Sequence, residues 1–387
     1  MERLWTKSFI LMILGTLFLF IGFYMLYPTL PIYIKQIGGN ESQVGLAMGT
    51  FMLSAVLIRP IIGGLLDRFG RRPFIVCGLL FFSLFMYLYE WTSAVLLLLG
   101  LRVLHGMTWG VTTTAMTTAI TDMIPSNRRG EGFGWSGMAM TLAMAIGPMF
   151  GLWISDNLSF QSLFFISAAL SVVALTMTFG AKMPFQPKKA AGRMEMFGKS
   201  VMPVAASVFF LFIAYGGITT FIPLFAHSLH VNSGLFFLVY SATLFLIRPF
   251  AGKLSDLKGE SFVIVPSLFV TIIALITLSL STGLLGILAS AVLYGIGFGS
   301  AQPALQAAML RFVQPERMGV ANATFSTAID LGIGLGAIIL GWVSQFWNYR
   351  LLFTVSAMSV ACSLVLFFFL VVRLSNKKKS SMDVQSS

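Results

Sequence analysis

The sequence predicts an all-α membrane protein with twelve transmembrane helices in two pseudo-symmetric six-helix bundles. Three observations carry that prediction. Of 387 residues, 57% are apolar or aromatic and only 10% are charged, whereas a soluble domain carries roughly a quarter charged residues. The apolar residues gather into twelve runs long enough to cross a bilayer, which takes about 20 residues each. A string of residues in the first half of the chain also returns in the second half in one register.

The runs lie near 8–34, 43–66, 74–92, 94–123, 132–155, 160–181, 201–228, 232–254, 262–281, 284–310, 319–346 and 350–373. Transmembrane strands are about ten residues long with strict alternation; these runs are twice that length and apolar on all sides, so they read as helices. The segment Met1 to Lys7 has the charge of a signal peptide, but the run after it continues without a small-residue cleavage site, which makes it a retained first helix. With the N-terminus inside, the inner connections hold Arg3 and Lys7; Arg68, Arg71 and Arg72; Arg128 and Arg129; Lys182, Lys188, Lys189, Arg193 and Lys199; Lys253 and Lys258; Arg311 and Arg317; and Arg373 with Lys377 to Lys379. Only Lys35 and Arg350 fall outside, so both termini are expected in the cytoplasm, with the chain in the cell membrane.

The net charge of +12 is spread over these short connections. No basic domain could fold from them, which excludes nucleic acid as a partner and leaves the lipid bilayer. The basic stretch 182–200, with Pro184 and Pro187, reads as a cytoplasmic linker between a bundle at 1–181 and a bundle at 201–373, followed by a tail at 374–387. Gly198-Lys199-Ser200 matches the end of a phosphate-binding loop, but Arg193 stands where the earlier glycine belongs and no strand leads into it. Cys77 and Cys362 lie inside apolar runs and read as packing residues. Three scattered histidines and these two cysteines form no cluster that could hold a metal or run an enzyme reaction, so no metal, cofactor or catalytic site is expected.

The internal repeat is specific. Leu57-Ile58-Arg59-Pro60-x-x-Gly63-x-Leu65-x-Asp67-x-x-Gly70 returns as Leu246-Ile247-Arg248-Pro249-x-x-Gly252-x-Leu254-x-Asp256-x-x-Gly259. The same offset carries Gly106 to Gly295, Gly110 to Gly299, Gly130 to Gly319 and Gly147 to Gly336. Two parallel six-helix repeats around a midplane site are a physical recipe for alternating access. The pairs Gly106/Gly110, Gly147/Gly151, Gly295/Gly299 and Gly332/Gly336 have the small-xxx-small spacing that lets helices pack closely in lipid. Gly147-Pro148 is read either as a helix bend that governs gating or as plain packing.

Gly63-Gly64-Leu65-Leu66-Asp67-Arg68-Phe69-Gly70-Arg71-Arg72 resembles the signature of the major facilitator superfamily between its second and third helices. Arg102-x-x-His105-Gly106-x-x-x-Gly110 is similar to the family's second motif, and Gly147-Pro148-x-x-Gly151 to the antiporter motif of its twelve-helix drug:proton exporters, with Leu152 in place of that motif's final glycine. The resemblance implies that Asp67 meets the start of the eleventh helix near Gly319, that Arg71 meets Asp122, and that Asp256 meets the start of the fifth helix near Gly130. Together with Arg72, Arg59 and Arg248 these would form an inner gate. The residues alone also allow a basic topogenic turn, in which Gly63, Gly64 and Gly70 permit tight turning and close helix approach.

A charge near the membrane centre is a functional candidate by default. Asp330 lies eleven residues beyond Gly319, about 16 Å from the inner surface. It is read as a carboxyl that loads and releases a proton, as a fixed partner of Arg59, since the resemblance packs helices 2 and 11 together, or as a group paired with Arg102 or hydrogen-bonded within its helix. Arg102 lies about 12 Å from the outer surface and either snorkels outward or shares a cavity face with His105, Trp109 and Thr113. His105 is either a proton relay or a packing residue. The resemblance lines the cavity with helices 1, 4, 7 and 10. The stripes Phe20, Tyr24 and Tyr27, then Phe212, Tyr215 and Thr219, and then Tyr294, Phe298 and Gln302 are therefore candidate substrate walls, with core packing as the alternative.

These readings give a secondary active transporter, functional as a monomer, that couples protons to efflux of small amphipathic drugs or metabolites. The alternatives are a proton-linked symporter importing a metabolite and a lipid translocase of the same fold. No acid occurs in spans 1, 7 or 10, which favours neutral or anionic substrates over cations.

Overall fold

The computed structural model describes residues 4–125, 128–183, 201–311 and 318–372. Their helices are α1 (Lys7–Gln36), α2 (Glu41–Phe69), α3 (Arg72–Leu88), α4 (Val95–Met123), α5 (Arg129–Asn157) and α6 (Phe160–Phe179), then α7 (Met202–Ser228), α8 (Ser233–Lys258), α9 (Glu260–Ser279), α10 (Leu284–Arg311), α11 (Met318–Phe346) and α12 (Tyr349–Leu366). A 3₁₀ turn, Tyr89–Trp91, extends α3, and a π-helical turn, Phe367–Val372, extends α12. Twelve helices among the described residues are long and apolar enough to cross a membrane, and no strand occurs there. The proposed linker beyond Met183 and the tail beyond Val372 lie outside the described residues.

Polar residues set the helix starts. Thr6, Asn40, Ser159, Asn232 and Asn348 each accept a backbone N–H in the first turn of α1, α2, α6, α8 and α12, and Gln43 closes a capping box on Asn40. Gly70 and Gly259 stop α2 and α8 at φ +86° and +88°, a backbone conformation that strongly favours glycine.

The contacts divide the chain into two compact units, Met1–Met194 and Glu195–Ser387. In the first unit α1 packs on α5 and α6, α3 on α4 and α6, and α2 on α4. In the second, α7 packs on α11 and α12, α9 on α10 and α12, and α8 on α10. The second set is the first with each helix number raised by six, so the sequence repeat is also a repeat of packing.

The paired glycines sit in these interfaces. A Cβ on Gly106 would meet the Phe51 carbonyl oxygen and Ser54 Oγ, and one on Gly110 would lie 2.6 Å from the Ala55 oxygen. In the other unit the equivalent Gly295 faces Thr243 and Tyr240, and Gly299 faces Ile247 and Leu244. Gly147 and Gly151 lie against Tyr24 and Met25, as Gly332 and Gly336 lie against Phe209 and Ile213. Helix α5 continues through Pro148, and Gly147 serves close packing on α1.

Two expectations are corrected. Gly63 and Gly64 lie inside α2, and a Cβ on either would have nothing within 4 Å. Of that motif's glycines, only Gly70 makes the turn. Cys77 and Cys362 are exposed on the helix surface rather than packed in the core.

Candidate functional site

In the first unit the short turn between α2 and α3 carries the ion pair. Arg71 Nε donates to Asp122 Oδ2 at 2.8 Å, and its Nη1 donates to the Leu66 carbonyl at 2.9 Å. The Arg71 side chain is 9% exposed and that of Asp122 35%. The pair therefore fastens this turn to the end of α4 with a charge-assisted hydrogen bond. Arg72 is exposed, and its guanidinium covers the Phe179 ring at 4.9 Å. The backbone of Asp67 and Asp256 is helical, and their side chains lie outside what the structure describes.

The repeat offset carries Arg71 onto Glu260 and Asp122 onto Arg311. The signs of the two positions are reversed in the second unit, where Glu260 is buried at the start of α9. Matching identical residues between the halves misses this correspondence, because it lies in charge and not in identity.

The arginines within the spans also repeat. Arg59 on α2 donates to Thr114 Oγ1 on α4 at 3.3 Å, and Arg248 on α8 donates to Gln302 Oε1 on α10 at 2.8 Å. Gln302, read as a cavity handle, therefore holds Arg248.

Arg102 does not snorkel. It is 2% exposed; Nε donates to the Ala47 carbonyl at 2.9 Å, Nη1 lies 3.3 Å from Tyr89 Oη, and the guanidinium covers Phe51 at 4.1 Å. Tyr89 Oη also lies 2.7 Å from His105 Nδ1. Arginine only donates, so the phenol oxygen accepts from Arg102 while sharing a hydrogen bond with His105 Nδ1. His105 is fully buried against Phe82 and Phe51, with ring centroids 4.2 and 5.1 Å away. The polar atoms of Arg102 and His105 thus bind α2 and the end of α3 to α4. Tyr89 holds the group together, and sequence reasoning misses it. A tyrosine closing the third span, across a short turn from the helix that bears Arg102, is the signal that could have found it.

Each unit holds an aromatic cluster. Trp109 stacks on Phe23 at 4.1 Å with 18° between planes and meets Phe20 edge-on at 4.9 Å. Tyr24 lies 5.2 Å from Phe23 and 6.2 Å from Tyr27. In the second unit Phe298 stacks on Tyr215 at 4.8 Å and on Tyr294 at 5.4 Å, and touches Phe212. The offset carries Phe23 onto Phe212 and Trp109 onto Phe298, so the α1–α4 aromatic contact recurs between α7 and α10, edge-on at 69° rather than stacked.

Asp330 is 6% exposed in α11. Every other described acid stands within about one turn of a helix end, or beyond it, whereas Asp330 lies twelve residues from Met318, about 18 Å along the helix. Among the described residues no group of three or more His, Cys, Asp or Glu could hold a metal ion.

The profile of the Major Facilitator Superfamily matches residues 12–330 and, in a second match, 205–385. The chain belongs to the Major Facilitator Superfamily. It is therefore a multi-pass membrane transporter. The quinolone resistance protein NorA of Staphylococcus aureus is 26% identical over 358 residues, covering 87% of this chain and 89% of that protein. The staphylopine export protein of the same species is 24% identical over 377 residues, covering 91% and 93%. The crystal structure of the nucleoside transporter NupG shares the fold, with a TM-score of 0.77 at 13% identity and coverage of 93% and 99%.

Proposed function

We propose that this chain is a proton-coupled exporter of small amphipathic compounds, acting as a monomer in the cell membrane with both termini in the cytoplasm. The observation that carries the reading is end-to-end similarity to two proteins named for drug resistance and for export. In this reading the two repeats rock about a cavity walled by the aromatic residues of α1, α4, α7 and α10. Tyr24, Tyr27, Trp109, Tyr215, Tyr294 and Phe298 supply flat apolar surface for the ligand. Asp67 and Asp256 latch the inner side, and Asp330 carries the proton. The absence of acids from α1, α7 and α10 favours neutral or anionic cargo.

Everted membrane vesicles test this reading. A panel of neutral, anionic and cationic fluorescent compounds is presented under an imposed gradient, acidic inside. Uphill accumulation of a neutral or anionic compound supports proton-coupled export. Export from the vesicles driven by proton efflux, the sign of a symporter that imports, contradicts it.

A further inference from the structure

We propose that the first unit carries a binding site for an anionic phospholipid, with the phosphate held by Lys7, Arg72 and Lys182 and an acyl chain lying along α6. The three cations come from three different chain segments that the fold brings to one end of the bundle. Arg72 opens α3, and its guanidinium covers the Phe179 ring while Nη2 donates to the Phe179 carbonyl at 3.2 Å. Three residues beyond Phe179, the Lys182 backbone N–H donates to Ser8 Oγ at 2.9 Å, beside Lys7 at the start of α1.

All three cations are exposed. None enters an ion pair among the described residues, whereas Arg71, Arg128 and Lys35 are matched to Asp122, Glu131 and Glu41. Orientation alone would put these cations at one end of the bundle, but contacts also join their segments, Arg72 to Phe179 and Lys182 to Ser8. Two further features point to a lipid. Helix α3 begins here without a side-chain cap, so its positive end adds to the attraction for a phosphate. Phe165, Val172 and Phe179 are 61%, 47% and 58% exposed and recur every seven residues, which places them on one face of α6. That stripe is about 21 Å long at 1.5 Å per residue. One leaflet of a hydrocarbon core is about 15 Å thick, so the stripe can follow an acyl chain down from a headgroup at Arg72. The site lies in one unit and depends neither on the direction of transport nor on the cargo.

The test is native mass spectrometry of the full chain released from discs containing equal phosphatidylglycerol and phosphatidylcholine. The unaltered protein should retain phosphatidylglycerol over phosphatidylcholine by about fivefold or more, given the attraction of juxtamembrane cations for anionic headgroups. Lys7→Gln/Arg72→Gln/Lys182→Gln should bring the ratio near one. Lys253→Gln/Lys258→Gln/Arg350→Gln, which removes as many exposed cations elsewhere, should leave it unchanged. Lys7→Gln/Lys182→Gln keeps the Arg72 contacts with Phe179 and replaces the triple variant in the test if that one does not fold; its ratio should fall between the two. An unchanged ratio in that double variant, or an equal loss in the control, overturns the proposal. Displacement of the lipid by millimolar inorganic phosphate would make this a phosphate site rather than a lipid site, and would overturn it too.

Discussion

Separating Arg71 from Asp122 measures what holds the α2–α3 turn to α4. Their contact of 2.8 Å corresponds to a gross attraction of about 6 kcal/mol at an effective dielectric near 20. Desolvation of the nearly buried guanidinium cancels much of that, and solvent at the one-third exposed carboxylate screens more. The net effect should be about 1–3 kcal/mol per single variant, in the range of a hydrogen bond to a charged group. Arg71→Gln should be the costlier change, because it also removes the bond to the Leu66 carbonyl, whereas an Asn at 122 can still accept from Arg71. Unfolding free energies in mixed micelles titrated with dodecyl sulfate give the cycle. The double variant Arg71→Gln/Asp122→Asn should lose about 1–2 kcal/mol less than the sum of the singles, as expected for residues in contact. Additivity within about 0.5 kcal/mol would show that the two side chains act independently and would refute the argument.

Two further outcomes follow from the packing. Tyr89→Phe removes the atom shared by Arg102 and His105 and leaves their buried polar atoms without it; the same unfolding assay should show a loss of about 1–3 kcal/mol, and no loss would mean the triad does not bind these helices. Gly106→Ala forces a methyl group into Phe51 and Ser54 and should destabilise by about 1–3 kcal/mol. Gly63→Ala has open space in an α-helix and should be neutral or stabilise by up to about 1 kcal/mol. Equal effects at the two positions would contradict the interface assignment.

The twelve spans are legible in the sequence because the bilayer imposes length and apolarity on each segment, and the repeat is legible because one offset governs both units. Spacing alone places Gly106, Gly110, Gly147 and Gly336 in helix contacts. It does not separate Gly63 and Gly64 from Gly70, since composition does not distinguish a glycine inside a helix from one with positive φ. The Arg102 site is misread from sequence because helical spacing places side chains on a face without saying where a long one ends: the guanidinium turns to α2, and Tyr89, distant along that spacing, closes the group. Trp109 is found, but its stacking partner Phe23 is missed, because the stripe through Phe20, Tyr24 and Tyr27 passes on either side of it. The reversal of Arg71 and Asp122 into Glu260 and Arg311 is present in the sequence for a comparison of charge rather than identity.

In the proposed function, the carboxyl buried in α11 couples transport to protons. Proteoliposomes containing Asp330→Asn test it directly: the variant should still exchange labelled for unlabelled substrate across the membrane, and should no longer concentrate substrate under an imposed pH gradient. Accumulation equal to that of the unaltered protein would contradict the claim, and loss of folded protein would assign Asp330 to a structural pair instead.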